Sequence, residues 1–175
     1  MSAELPIKPV IPRQDVHGWL TDITDNRAAH RLAIASVVKR QRRLGKYIKN
    51  NAKGLGPKMG VSGAYAMAAV GRVFELAGGR LVPCTAKQIK AAEARIAEVA
   101  VELFPPDEGF AERLHQVDWR AQPHILDEML DEVLGGEDEE DEGARDPLVL
   151  AQLFLLVWLA VEVLQDCWVP DDEDA

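Results

Sequence analysis

Residues 148–161 are apolar at every position except Gln152, which makes about four turns of helix without a polar face. Such a stretch either spans a membrane or forms the centre of a bundle, where neighbours cover it on all sides. A span needs roughly 18 or more apolar residues, and Glu162 and Asp166 cut this run short. Both flanks are acidic, with six acids in succession at 137–142 and four at 171–174, and only Arg145 nearby. That lacks the basic flank that orients a span. The expectation is therefore no membrane, and a buried central helix at the C-terminal end of the fold.

The rest of the chain supplies helices to cover it. Hydrophobic spacing is helical nearly throughout, and no run of period-two alternation stands out. A short helix is expected over 16–24, around Trp19, Leu20 and Ile23. Asp25 or Asn26 then reads as the cap of a longer helix reaching Leu44 or Ile48. Its stripe is Ala29, Ala33, Val37, Leu44 and Ile48, interrupted by Gln41. Asn50, Asn51, Gly54, Gly56 and Pro57 end it. Ser62 is expected to cap a third helix running to about Ala77, stopped by Gly78 and Gly79. The small residues of that helix, Gly63, Ala64, Ala66, Ala68, Ala69 and Gly71, allow close approach by a neighbour.

Thr85 and Gln88 have the spacing of a capping box. Ile89, Ala92, Ile96, Val99 and Leu103 follow at intervals of three and four, one face of a helix that Pro105 and Pro106 terminate. Phe110, Leu114 and Val117 suggest a short fifth helix, and Trp119 a loop. Pro123 suits the first turn of a sixth helix that buries Ile125, Leu126, Met129, Leu130 and Val133. Asp146 and Pro147 cap the last one. A chain of 175 residues with 47% hydrophobic residues can bury one core. The predicted fold is an all-α, single-domain bundle of six to seven helices over 15–169, with the apolar C-terminal helix at its centre. An extended arm (1–14, with Pro6, Pro9 and Pro12), an acidic flexible loop (137–146) and an acidic tail (170–175) complete it. The arm has no apolar run of the kind a secretory signal needs. With no short-spaced pair, Cys84 and Cys167 read as free buried thiols, and the expected location is the cytoplasm.

Charge is divided unevenly. The first sixty residues hold 12 Lys and Arg against 4 acids, and the remainder holds 8 against 25, giving −9 overall. The positive charge concentrates in Lys39, Arg40, Arg42, Arg43, Lys46, Lys49, Lys53 and Lys58, with Tyr47 among them. Phosphate backbones are drawn to such a run because each neutralised phosphate releases counterions, and a tyrosine can stack on a base. The same run could instead be neutralised by the acids of 127–142, within one chain or between copies.

Catalytic motifs fail on spacing. The glycines of 54–63 do not match a phosphate loop, and the segment 60–63 is one residue short of a nucleophile elbow. His17, His30, His115 and His124 show no metal-ligand spacing. Asp127 and Asp131, and Glu128 and Glu132, each share a helical face. Together with Glu162 they are the candidate ligands for a divalent metal held across a bundle. Trp119 is a candidate partner anchor, since tryptophan is enriched at binding hot spots. No cofactor motif is present. These features point to a non-enzymatic protein-interaction or regulatory module, self-assembling through opposed basic (39–58) and acidic (127–142) surfaces. One alternative is a nucleic-acid-binding protein using 39–58. The other is a metal-dependent all-α hydrolase using 127–132 and 162–166.

Overall fold

A computed structural model of the chain describes residues 8–119, 121–135 and 146–171. Among these, eight α-helices form in chain order: α1 (Arg13–Asp25), α2 (Arg27–Arg40), α3 (Arg42–Ala52), α4 (Met59–Leu76), α5 (Ala86–Leu103), α6 (Phe110–His115), α7 (Pro123–Leu134) and α8 (Pro147–Cys167). A single 3-10 turn, Lys53–Leu55, joins α3 to the chain before α4. The fold is all-α, as the periodicity predicts, and α8 is its centre. Packed against α3, α4, α5 and α7, α8 buries twelve residues, from Ala151 to Cys167. The Asp146 carboxylate accepts the Leu148 N–H and caps its start.

Glu162 lies within this apolar helix at 3% exposure. A carboxylate there is tolerated only when served by donors and countercharge. Trp158 Nε1 donates to it at 3.2 Å, and Arg95 of α5 donates through Nε at 2.9 Å. Arg95 Nη2 sits 2.8 Å from the same oxygen without hydrogen-bond alignment, and 3.7 Å from Asp166. Glu162 is thus a tie between α8 and α5.

The long second helix expected from the sequence is two helices, because Gln41 is a joint and not a gap in a stripe. Its side chain is buried; Nε2 donates to the Val82 carbonyl at 2.8 Å, and Oε1 accepts the Cys84 N–H at 3.0 Å. The backbone leaves helical geometry at Gln41, with φ −99° and ψ 39°, and α3 starts afresh at Arg42. Ala29 of the predicted stripe is exposed, while Val37, Leu44 and Ile48 are buried. The Asn26 side chain does not cap α2; it reaches back to the Asp22 carboxylate. Ser62 does not cap α4, which begins three residues earlier at Met59, and the Ser62 N–H already donates to the Lys58 carbonyl.

Thr85 and Gln88 form the predicted capping box of α5, and Ile89, Ala92, Ile96 and Leu103 face the core. In α4 the small residues do bring neighbours close. A Cβ on Gly71 would lie 2.5 Å from Val37 Cγ1 of α2, and one on Gly63 would lie 3.0 Å from Ile48 Cγ2 of α3. Gly78 and Gly79 end α4 with φ of 99° and 89°. They lead into a feature the periodicity did not predict, an antiparallel ladder of β1 (Arg80–Leu81) with β2 (Trp168–Val169). Two-residue strands are too short to carry a period. Only a glycine fits at 79, where a Cβ would meet the Val169 carbonyl oxygen at 2.1 Å.

The N-terminal arm is shorter than expected, since α1 starts at Arg13. Gln122 fastens it: Oε1 accepts the Ile11 N–H at 2.8 Å, and Nε2 donates to Pro9 and Gln165 at 2.9 Å. The expected acidic loop lies outside the described residues except for Asp146, and so does the expected tail beyond Asp171.

Candidate interaction site

Spacing along α3 sorts its residues by side. Leu44, Ile48 and Ala52 recur every four residues and are buried with Gly45. Arg42, Lys46 and Lys49 recur at four and three, which places them on another side of the same helix, and Lys53 follows four residues on, at the start of the 3-10 turn. All four are exposed, as are Lys39, Arg43 and Lys58. From Arg42 to Lys53 the stripe is about 16 Å long at the helical rise. Of the predicted cationic set, Arg40 is claimed by Glu75 of α4 at 2.9 Å. Among the described residues the other seven have no carboxylate within ion-pair distance.

The acids of α7 are elsewhere. Asp127 accepts Arg13 of α1 at 2.7 Å and lies 3.9 Å from His115; Glu128 lies 3.1 Å from His17. Asp131 and Glu132 are exposed. Helices α3 and α7 both pack on α8 but share no substantial interface. Within the described residues, then, the acids of α7 do not neutralise the basic stripe. Residues 137–142 lie outside them.

Tyr47 leaves the cationic set. Its half-buried ring does not lie along the stripe; it turns into an open groove of about 340 Å³ between α3, α5 and α8. Asn51 of α3, Ala97 and Ala100 of α5, and Leu155 and Leu156 of α8 line the same groove. Burial first, and then the facing Glu93 carboxylate, push the Tyr47 phenol up to about 12. The groove was not legible in the sequence, because its walls come from three helices far apart in the chain. The one local signal is on α8, where Leu148, Gln152, Leu155 and Leu159 recur at four, three and four and include the only polar break in the apolar run.

Trp119 is not an open anchor. Its ring packs edge-on against Trp158 at 5.0 Å and Phe154 at 6.2 Å, so the core claims it. The five candidate metal ligands do not converge. Asp127 and Glu128 face α1, Asp131 and Glu132 are exposed, and Glu162 is held by Arg95 and Trp158. No group of three His, Cys, Asp or Glu side chains suited to a metal occurs among the described residues. Both cysteines are free and buried, as expected. Burial raises both thiols, Cys167 to about 12.

Comparison of the chain with protein-family models, curated proteins and solved structures gives no match. The functional reading rests on the geometry above.

Proposed function

We propose that this chain is a non-enzymatic interaction module whose working surface is the basic face of 39–58, and that it captures an acidic partner. The observation that carries this reading is the row of exposed cations on α3 without a carboxylate partner among the described residues. Like charges held side by side repel one another. A partner that supplies carboxylates relieves this and gains most at low salt. The exposed Asp131 and Glu132 lie on a different helix, so a second copy can offer acids to this face in a head-to-tail contact.

Sedimentation of the purified protein over a range of salt tests self-capture: association that weakens as salt rises supports it. The variant Arg42→Glu/Lys46→Glu/Lys49→Glu alters only exposed positions and should fold normally but lose that association. A salt-insensitive monomer at every concentration refutes self-assembly. Nucleic acid is the second reading, favoured by the regular spacing of Arg42, Lys46 and Lys49 along one helix, with Lys53 a turn further on. Titration against short DNA and RNA separates the two, since a slope of affinity against salt counts the phosphates engaged. Binding that survives the triple charge reversal would dismiss this surface for either partner.

A further inference from the structure

Beside the basic stripe lies an apolar surface that the described residues of the bundle cover only in part. The pairs Gln88–Cys167 and Arg95–Glu162 show that α5 and α8 run antiparallel. Their outer edges and α3 enclose the groove that Tyr47 closes on one side. Its floor is the α8 stripe, and that stripe continues past the groove to Leu148, which is 44% exposed. Val101, at the corresponding end of α5, is 79% exposed. From Leu148 to Leu159 the strip is about 16 Å long, three turns of helix. The site is an open trough and not an enclosed pocket, so a small ligand would stay half wet there, whereas a helix laid along it would bury one face.

Charge selects the occupant. Arg43 and Lys46 flank Tyr47 on the α3 side, and Lys90 lies a turn from Glu93 on the α5 side; all three are exposed and have no carboxylate partner among the described residues. Glu93, the one acid among the described residues of the wall, faces the Tyr47 hydroxyl, and Asp146 beyond the far end is occupied in capping α8. We infer that the trough between α3, α5 and α8 docks an amphipathic helix of a partner protein, with leucine-like anchors at intervals of three and four on its inner face and carboxylates along its flanks. This deepens the reading of the basic face as an acid-capturing surface and rests on it. It adds what that reading does not contain, an apolar contact that decides which acidic partners stay.

The test uses the full chain and two synthetic helical peptides. Both carry Leu at positions i, i+3, i+4 and i+7; one bears Glu and the other Lys at the remaining positions. Fluorescence anisotropy gives their affinities, and amide chemical shifts locate the contact. The acidic peptide is expected to bind with Kd on the order of 100 μM or tighter, with shifts confined to Tyr47, Ala97, Gln152 and their neighbours. The lysine peptide should bind at least about tenfold more weakly. Ala97 is exposed and lines the trough, so Ala97→Gln fills it without changing charge and should weaken the acidic peptide about tenfold or more. Arg43→Glu/Lys46→Glu should weaken it as well and flatten its salt dependence.

If the charge reversal matters and Ala97→Gln does not, the basic face binds alone; the docking trough is then refuted while the broader reading stands. If Ala97→Gln matters and the charge reversal does not, the trough is an apolar site without the charge selection proposed, and the inference falls. Failure of the acidic peptide to bind overturns it outright. So does conversion of a wild-type dimer to monomer by Ala97→Gln, which would make a second copy the occupant.

Discussion

Glycine-to-alanine substitution should have opposite signs at two positions in this bundle, and the structure says why. Alanine is favoured over glycine in a helix interior by about 1 kcal/mol. Gly18 in α1 has nothing within 4 Å of where a Cβ would stand, so Gly18→Ala should collect that gain nearly whole. Gly71 in α4 would place its Cβ 2.5 Å from Val37 Cγ1, against about 3.5–4.0 Å for an ordinary carbon contact. Val37 cannot swing aside. It is β-branched, sits in a helix and is buried at 1% exposure. Relief requires α2 to move off α4, and overpacking of this kind costs roughly 1–3 kcal/mol. An overlap above 1 Å on a rigid neighbour belongs at the upper end, so Gly71→Ala should destabilise by about 1–2 kcal/mol after the helical gain is subtracted. Urea unfolding followed by circular dichroism measures both variants. A double-mutant cycle sharpens the test, because Gly71→Ala placed in a Val37→Ala background should stabilise, with a coupling of about 2 kcal/mol. If Gly71→Ala stabilises as much as Gly18→Ala and shows no coupling to Val37, the close packing of α2 on α4 is wrong.

Three further outcomes are expected. Truncation before Pro147 removes the helix on which α3, α4, α5 and α7 pack, so the product should be unfolded by circular dichroism; a folded, soluble fragment would contradict the central place of α8. Cys84 and Cys167 are buried with raised thiol pKa values, so a thiol reagent near neutral pH should react with neither until denaturant is added, and then with both. Asp22 is held below the usual carboxylate range by hydrogen bonds from His30 and Asn26. With the folded value depressed, its contribution is complete above the ordinary pKa and is lost as pH falls through the lower folded one. Asp22→Asn should therefore flatten the acid limb of a stability-against-pH curve below about pH 4, and an unchanged limb would mean the His30 contact does not form in solution.

Signals that act over a few neighbouring residues were legible in the chain. An apolar run cut by Glu162 and flanked by acids favours a central helix over a membrane span, because covering it on all sides needs a bundle. The capping box at Thr85, the stripe from Ile89 to Leu103 and the glycine stop after α4 likewise follow from hydrogen bonds and periods contained in single segments. The concentration of positive charge over 39–58 was legible too, whereas the stripe of Arg42, Lys46 and Lys49 emerges only with α3. What depends on a partner distant in the chain was not legible. Gln41 reads as a flaw in a stripe until Val82 and Cys84 arrive to hold its side chain. Trp119 reads as either a partner anchor or a core residue until Trp158 and Phe154 are beside it, and Tyr47 reads as one of a basic set until α5 and α8 give its ring a trough to face. The paired acids of α7 look like metal ligands until Arg13 and His17 of α1 meet them. Period and capping are properties of local backbone geometry; the company a side chain keeps is set by helix packing, and only the tertiary structure decides it.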